Sequence, residues 1–165
     1  MGIRTVRTEG DECLRKVCKP VKSVNLRTRI LIEDMFDTMY ESGGVGLAAP
    51  QIGVLKRIVV MDTDDNQHVL INPQILEVSG EQTGYEGCLS IPGKSGIVTR
   101  PDYVKVKGEG LLARCICHEC DHLDGILYSD KAEGGLINNE DLPEDEEEEL
   151  YEDAYEEFTE EEIHK

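Results

Sequence analysis

Two histidines four residues apart, His118 and His122, constrain this chain more than any other feature. Residues at this spacing lie on the same face of an α-helix, so both imidazoles can reach one metal ion. Glu119 follows the first histidine and can serve as a general base beside the metal without binding it. HExxH patterns also arise by chance, and then the two histidines are ordinary surface or core residues. The neighbouring apolar residues predict a buried helix: Leu111, Leu112, Ile116, Leu123, Ile126 and Leu127. Polar side chains in such a helix are costly unless they have partners, which a metal would supply.

Charge divides the chain into two parts. The total is −18, but residues 140–165 hold 15 acidic residues and one basic residue, so residues 1–139 carry only −4. We therefore expect one ordinary domain over residues 1–139 and an acidic tail over residues 140–165. The tail is either solvated and disordered or an amphipathic helix, because five residues fall at helical spacing: Leu150, Tyr151, Ala154, Tyr155 and Phe158.

The start of the chain and its hydropathy predict a cytoplasmic protein. No apolar run approaches the ~20 residues that span a membrane. Residues 1–22 lack the apolar core of a signal peptide. The six cysteines should then be reduced, and three of them lie on the predicted metal helix. Cys13 and Cys18 have no histidine nearby and are interpreted as buried or idle thiols. Cys88 is either a core residue or a third metal ligand; three protein ligands would leave a fourth position open for water.

The middle of the chain predicts one helix and several strands. Apolar residues recur at helical spacing over residues 26–42, and Gly43 and Gly44 end that helix. Strands are expected at 57–61, 69–71 and 75–79, joined as an antiparallel meander. Residues 44–53 contain a GxGxxA pattern, but it follows a helix and not a strand, which argues against a dinucleotide loop. Its small residues would let another backbone approach closely. Gln51 is its strongest hydrogen-bonding side chain, and the simplest role for it is to cap a turn.

Three segments, taken in order, resemble the motifs of the peptide deformylases: GVGLAAPQ at 44–51, EGCLS at 86–90 and HECDH at 118–122. The resemblance extends from the start to about residue 131. A zincin-type peptidase would share only the HExxH pattern. The resemblance implies an α+β fold with mixed or antiparallel strands around a central metal-binding helix. It also implies removal of the formyl group from the initiator methionine of new bacterial chains, with release of formate.

The resemblance also assigns roles to residues. Fe²⁺ is the usual metal of the family, with Zn²⁺, Ni²⁺ or Co²⁺ able to substitute, and its ligands would be Cys88, His118 and His122. Glu119 would move the proton of the attacking water, while the Gln51 amide and the Leu89 N–H would hold the oxygen of the tetrahedral intermediate. Contacts to the N-formylmethionyl peptide would come from Gly44, Val45, Gly46, Leu111 and Cys115. Arg100 is expected to pair with Glu86 or Asp121.

Two features depart from the family. Residues 104–107 run almost directly into residues 108–111, where family members have a further turn and strand, so the local sheet is expected to be smaller or re-registered. The tail is too acidic to contact phosphates, so any ribosome contact would need another surface.

Two other functions stay open at this point. One is a non-catalytic protein with a closed Cys₂His₂ zinc site that includes Cys115. The other is an inactive domain that works through its tail.

Overall fold

The computed structural model describes residues 2–63, 66–106 and 113–142, with only the backbone described for Ala113 and Arg114. It contains two α-helices: α1, Leu26–Glu41, and α2, Ala113–Leu123. Eight strands accompany them: β1, Gly46–Ala48; β2, Ile58–Thr63; β3, Asn66–Ile71; β4, Ile75–Ser79; β5, Gln82–Cys88; β6, Ile91–Arg100; β7, Tyr103–Val106; and β8, Glu133–Asn138. Within these ranges, neither α-helix has the length and apolar character needed to cross a bilayer. The acidic tail from residue 143 onward, including its predicted helix, lies outside the described residues.

The first sheet has the order β1-β2-β3, is antiparallel, and lies between the two helices. Alternate residues of a strand point to opposite faces, so Ile58 and Val60 pack with α1 while Val59 and Met61 pack with α2. All four of these side chains are buried. A strand covered on both faces reads as a continuous apolar run, which is why β2 shows no polar alternation.

Helix α1 begins and ends as its sequence predicts. Asn25 caps the N-terminus by accepting a hydrogen bond from the Thr28 N–H at 3.1 Å. The chain leaves the helix through Gly43, whose φ of +67° is a conformation that glycine adopts at little cost. Met35 and Met39 are fully buried against the first sheet.

The meander predicted for three consecutive strands is wrong in its last member. β2 and β3 pair as expected, but β4 pairs with β7 and not with β3. The reason lies at Asn72, which has a φ of +52° and turns the chain out of the first sheet. Its side chain holds this turn by accepting from the Val21 N–H at 2.8 Å and donating to the Val21 carbonyl at 2.9 Å.

Two further sheets complete the described fold. β5, β6 and β8 form an antiparallel sheet in the order β5-β6-β8. Over the described ranges, the β4–β7 sheet has two strands, with a register irregularity between Ile75 and Glu77. The expectation that this sheet is smaller or re-registered stays a prediction, because residues 107–112 lie outside the described ranges.

Candidate metal centre and active site

Three side chains with metal-binding atoms converge, although Cys88 lies thirty residues before His118 in the sequence. Cys88 ends β5, while His118 and His122 lie one turn apart on α2. One ligand atom from each lies within 4.8 Å of the others, and Cys88 Sγ is 3.3 Å from His122 Nε2. The two imidazole centroids are 5.1 Å apart. A thiol with two imidazoles is a donor set that suits transition metals such as zinc and iron.

The hydrogen bond of one imidazole, that of His118, fits a metal site. His118 Nδ1 lies 2.9 Å from Glu86 Oε2, which leaves Nε2 for the cluster. Metal-binding histidines usually direct their second ring nitrogen to such a carboxylate, which sets the ring orientation and tautomer. Burial opposes a charge on His118, but hydrogen bonds to Cys88 and Glu86 raise its pKa to about 10 in the absence of metal, so a bound metal ion would have to displace a ring proton. Burial lowers the pKa of His122 well below its usual value, which favours the neutral form of the ring that binds metal.

A buried ion-pair network holds Glu86, the hydrogen-bond partner of His118. Arg100 donates to Glu86 through Nε at 2.6 Å and Nη2 at 2.7 Å, and to Asp121 through Nη1 at 2.7 Å. Burial would raise the pKa of Glu86, but its hydrogen bonds to Arg100 and His118 lower it to about 2. Lys131 reaches Asp121 from the surface at 2.6 Å. Arg100 therefore makes both of the pairings that the sequence offered as alternatives.

Glu119 lies next to His118 on α2 and is buried. Its Oε2 atom makes no hydrogen bond within the described residues. Burial raises the pKa of this carboxyl to about 7, although the positive charges of His118 and Arg100 act in the opposite direction. A carboxyl group that titrates near neutrality can accept and return a proton at physiological pH.

Gln51 has a fixed orientation in the 3₁₀ turn Ala49–Ile52. Its Oε1 accepts from the Ala48 N–H at 2.8 Å, so the predicted turn cap is present. This contact directs Nε2 toward the cluster, where it donates to Ser90 Oγ at 3.2 Å and lies 3.5 Å from Cys88 Sγ. The cap and a role at the cluster are therefore compatible.

A cleft of about 580 Å³ opens beside these groups. Of the residues predicted to contact substrate, four line it: Gly44, Val45, Gly46 and Cys115. Leu89 and Gln51 also line it, whereas Leu111 lies outside the described residues. The ligand cluster found in the described part of the chain does not include Cys115, whose Sγ faces Gly46. The geometry thus provides no fourth protein ligand at this position for a closed Cys₂His₂ site.

Four residues near the site were not identified from the sequence. Tyr128 stacks on His118 with ring centroids 5.8 Å apart, and its hydroxyl donates to the Lys94 carbonyl at 2.9 Å. Lys94 and Asn139 line the cleft, and Ser90 accepts the Gln51 amide. Only Ser90 had a visible signal, because it belongs to the EGCLS segment.

Comparisons with known proteins agree with this geometry. A sequence model of the polypeptide deformylase family matches residues 3–135. The peptide deformylase of Agathobacter rectalis is 58% identical over 148 residues, covering 82% of this chain and 94% of the relative. A solved peptide deformylase from Thermotoga maritima superposes with a TM-score of 0.76 at 38% identity, covering 81% of this chain and 99% of that structure. One from Synechococcus elongatus in complex with actinonin gives a TM-score of 0.73 at 38% identity, covering 79% of this chain and 81% of that structure. These matches confirm the predicted α+β fold, and the chain belongs to the polypeptide deformylase family.

Proposed function

We propose that this chain hydrolyses the N-formyl group of peptides that begin with formylmethionine, releasing formate and a free amino terminus. The observation that carries the proposal is the convergence of Cys88, His118 and His122 beside the buried Glu119, in a chain of the deformylase family. All catalytic residues proposed below lie within residues 1–139. Nascent chains are the natural source of such peptides, so the proposed location is the cytoplasm. A ribosome contact would use a surface other than the acidic tail.

Cys88 Sγ and the Nε2 atoms of His118 and His122 would hold the metal. The proposed metal is Fe²⁺, with Zn²⁺, Ni²⁺ or Co²⁺ able to substitute. When bound, such an ion lowers the pKa of a water molecule toward neutrality and polarises a carbonyl oxygen. Support comes from the hydrogen bond between His118 Nδ1 and Glu86, which leaves Nε2 directed toward Cys88.

Glu119 is the proposed general base and acid. It would take a proton from the attacking water and deliver it to the nitrogen of the departing amine. The support is its burial next to His118, the absence of a described partner for Oε2, and a pKa raised to about 7. A positioned acid–base group typically contributes about 10²–10⁴-fold to the rate.

Gln51 and the backbone N–H of Leu89 are the proposed donors to the formyl oxygen as it acquires negative charge. The Gln51 amide is suited to this role because the Ala48 N–H fixes its other end at 2.8 Å. Leu89 directly follows Cys88 and lines the same cleft. One such preorganised donor can contribute on the order of 3 kcal/mol to stabilisation of the transition state.

The edge of the first sheet is the proposed platform for the peptide. Among the described strands, β1 lies at the edge of its sheet and pairs on its inner side with β2, with Gly46 opposite Met61. The backbone of residues 44–46 would therefore add the extended substrate as a further strand. Val45, Leu111 and Cys115 are the proposed walls of the methionine pocket; Val45 and Cys115 line the cleft.

The test is formate release from a formyl-Met peptide by protein reconstituted anaerobically with Fe²⁺, and separately with Ni²⁺. We expect one formate for each free amino terminus formed, and no reaction with the matching acetyl-Met peptide. Protein treated with a chelator supplies the metal-free control. Absence of formate with both metals, from protein shown to contain metal, would contradict the proposal.

A further inference from the structure

A basic segment runs across the surface between the N-terminal arm and helix α1. Residues 15–30 contain six lysines and arginines and no acidic residue, although the body as a whole is slightly negative. All six are exposed. Four of them form no ion pair with an acidic group anywhere in the described ranges: Lys19, Lys22, Arg27 and Arg29. The first turn of α1 also has no acidic residue, so its partial positive charge adds to the same field.

The same segment exposes large apolar side chains. Val17, Val24, Leu26 and Ile30 are 69%, 50%, 72% and 42% exposed. Leu26 and Ile30 lie one turn apart on α1, so they share a face of the helix. Basic and apolar side chains are therefore interspersed along this exposed segment, whose surface we name the 15–30 face. Exposed apolar side chains that share one face of a helix, as Leu26 and Ile30 do, are typical of a surface that binds another polypeptide.

The C-terminal segment of the same chain has the complementary chemistry. Residues 143–165 contain thirteen acidic residues and one lysine, a net charge of −12. Between the acidic residues are apolar ones, among them Leu150, Tyr151 and Phe158, at the spacing of one helix face. Twenty-three residues can extend over roughly 75 Å at about 3.3 Å each. A domain of this size has a radius of gyration of about 14 Å, so the segment can reach any part of the surface.

We propose that residues 143–165 fold back and dock on the 15–30 face of their own chain. Carboxylates would meet Lys19, Lys22, Arg27 and Arg29, and apolar side chains would cover Leu26 and Ile30. Surface charges are screened beyond about 8 Å at physiological salt, so direct contact is required for the attraction to matter.

Two features favour residues 143–165 of the same chain, over a second copy of the chain or a nucleic acid, as the partner of the 15–30 face. A tethered segment acts at an effective concentration of millimolar order, well above that of a second copy in dilute solution. A nucleic acid would offer phosphates to the basic residues, but would not give Leu26 and Ile30 the matching apolar side chains that residues 143–165 carry.

A single tryptophan provides the first test, because the chain has none. In Phe158→Trp full-length protein, we expect acrylamide to quench the tryptophan several-fold less than in a free peptide of residues 143–165 carrying the same change. Adding Leu26→Asp should remove this protection, whereas Leu76→Asp, at a residue 57% exposed on β4, should not. Arg29→Glu and Lys105→Glu form a second matched pair. Arg29→Glu should also remove the protection of the introduced tryptophan from acrylamide, whereas Lys105→Glu should not.

Carbodiimide crosslinking identifies the partner directly. In a mixture of isotopically labelled and unlabelled full-length protein, we expect crosslinks from Lys19 and Lys22 to carboxylates of residues 143–165 within one chain. Equal quenching of the tryptophan with and without Leu26→Asp would overturn the proposal, as would crosslinks mainly between chains or at Lys105. Binding of oligouridine RNA that depends on Arg27 and Arg29, with the introduced tryptophan unprotected, would assign the 15–30 face to nucleic acid instead.

Discussion

Gly46 packs so closely against Glu119 that a methyl group on its α-carbon would lie 2.6 Å from Glu119 Oε1. The same methyl would lie 3.0 Å from Cys115 Sγ. Real Cβ atoms essentially never approach a heavy atom as closely as 2.6 Å, so the carboxylate would have to move. A larger residue at this position would therefore displace the side chain proposed to carry the proton.

The first prediction follows from this contact. Gly46→Ala should lower kcat for formate release by about 100-fold, since displacement of a catalytic group by about 1 Å costs this much. Metal content should not change, because the ligands are not touched. Gly2→Ala, at a residue that does not line the cleft, is the matched control: its Cβ would have only ordinary contacts, 3.7 Å from Asp34 Oδ1. Wild-type kcat in Gly46→Ala would show that Glu119 need not keep its position.

The second prediction concerns the buried guanidinium of Arg100, whose side chain is 2% exposed. Arg100→Met should lower the free energy of unfolding by about 3–5 kcal/mol, because it leaves the Glu86 carboxylate buried without its main partner. Lys131→Met removes the surface partner of Asp121 and should cost no more than about 1 kcal/mol. Urea unfolding of both variants, in the same metal-loaded state, checks this. Equal losses in the two variants would contradict the role assigned to the Arg100–Glu86 pair.

The third prediction is a pH dependence at the N-terminal arm. The Asp34 carboxylate accepts from Arg4 Nε at 2.9 Å and from the Gly2 N–H at 2.7 Å, and these hydrogen bonds hold its pKa below the usual value. A lowered folded-state pKa gives stability that is complete above the unfolded pKa of about 3.9 and is lost as the pH falls through the folded pKa.

Asp34→Asn should therefore cost about 1–2 kcal/mol of unfolding free energy between about pH 5 and pH 8, and progressively less below about pH 4. Chemical denaturation across this pH range measures it. Asp37→Asn, on the same helix and with no ion pair in the described residues, is the control and should show little change. The predicted pH dependence would be wrong if the difference between Asp34→Asn and the parent grew as the pH fell.

The fourth prediction separates an open metal site from a closed one. Cys115→Ser should keep its metal and lose only a modest part of its activity, because Cys115 lines the cleft and lies outside the ligand cluster. Cys88→Ser, the same substitution at a proposed ligand, should lose metal. A peptide hydroxamate with a methionine-like side chain should bind the parent protein. Metal loss in Cys115→Ser, together with failure of the hydroxamate to bind, would support the closed Cys₂His₂ site.

Much of the site could be predicted because its signals are local. The spacing of His118 and His122 specifies one helix face whatever the rest of the fold does. Gln51 caps its own turn, a contact over three residues. Cys88 could be joined to the helix only through the family's motif, since no local rule relates a strand end to a helix thirty residues later.

What the sequence did not reveal depends on long-range pairing. β4 was misplaced because the turn at Asn72 is held by Val21, fifty-one residues earlier. Lys94 and Asn139 reach the cleft because β6 and β8 pair, with Lys94 opposite Asn138. Tyr128 stacks on His118 through the chain reversal after α2. None of these contacts leaves a periodic pattern in the sequence.

The central claim is that Cys88, His118 and His122 hold a metal while Glu119 moves the proton without binding it. The most direct test measures metal content and formate release on the same preparations of parent, Glu119→Ala and Cys88→Ala. We predict that Glu119→Ala keeps the parent's metal content and loses about 10²–10⁴-fold in turnover, whereas Cys88→Ala loses both metal and turnover. Turnover near that of the parent in Glu119→Ala, or unchanged metal content in Cys88→Ala, would contradict the claim.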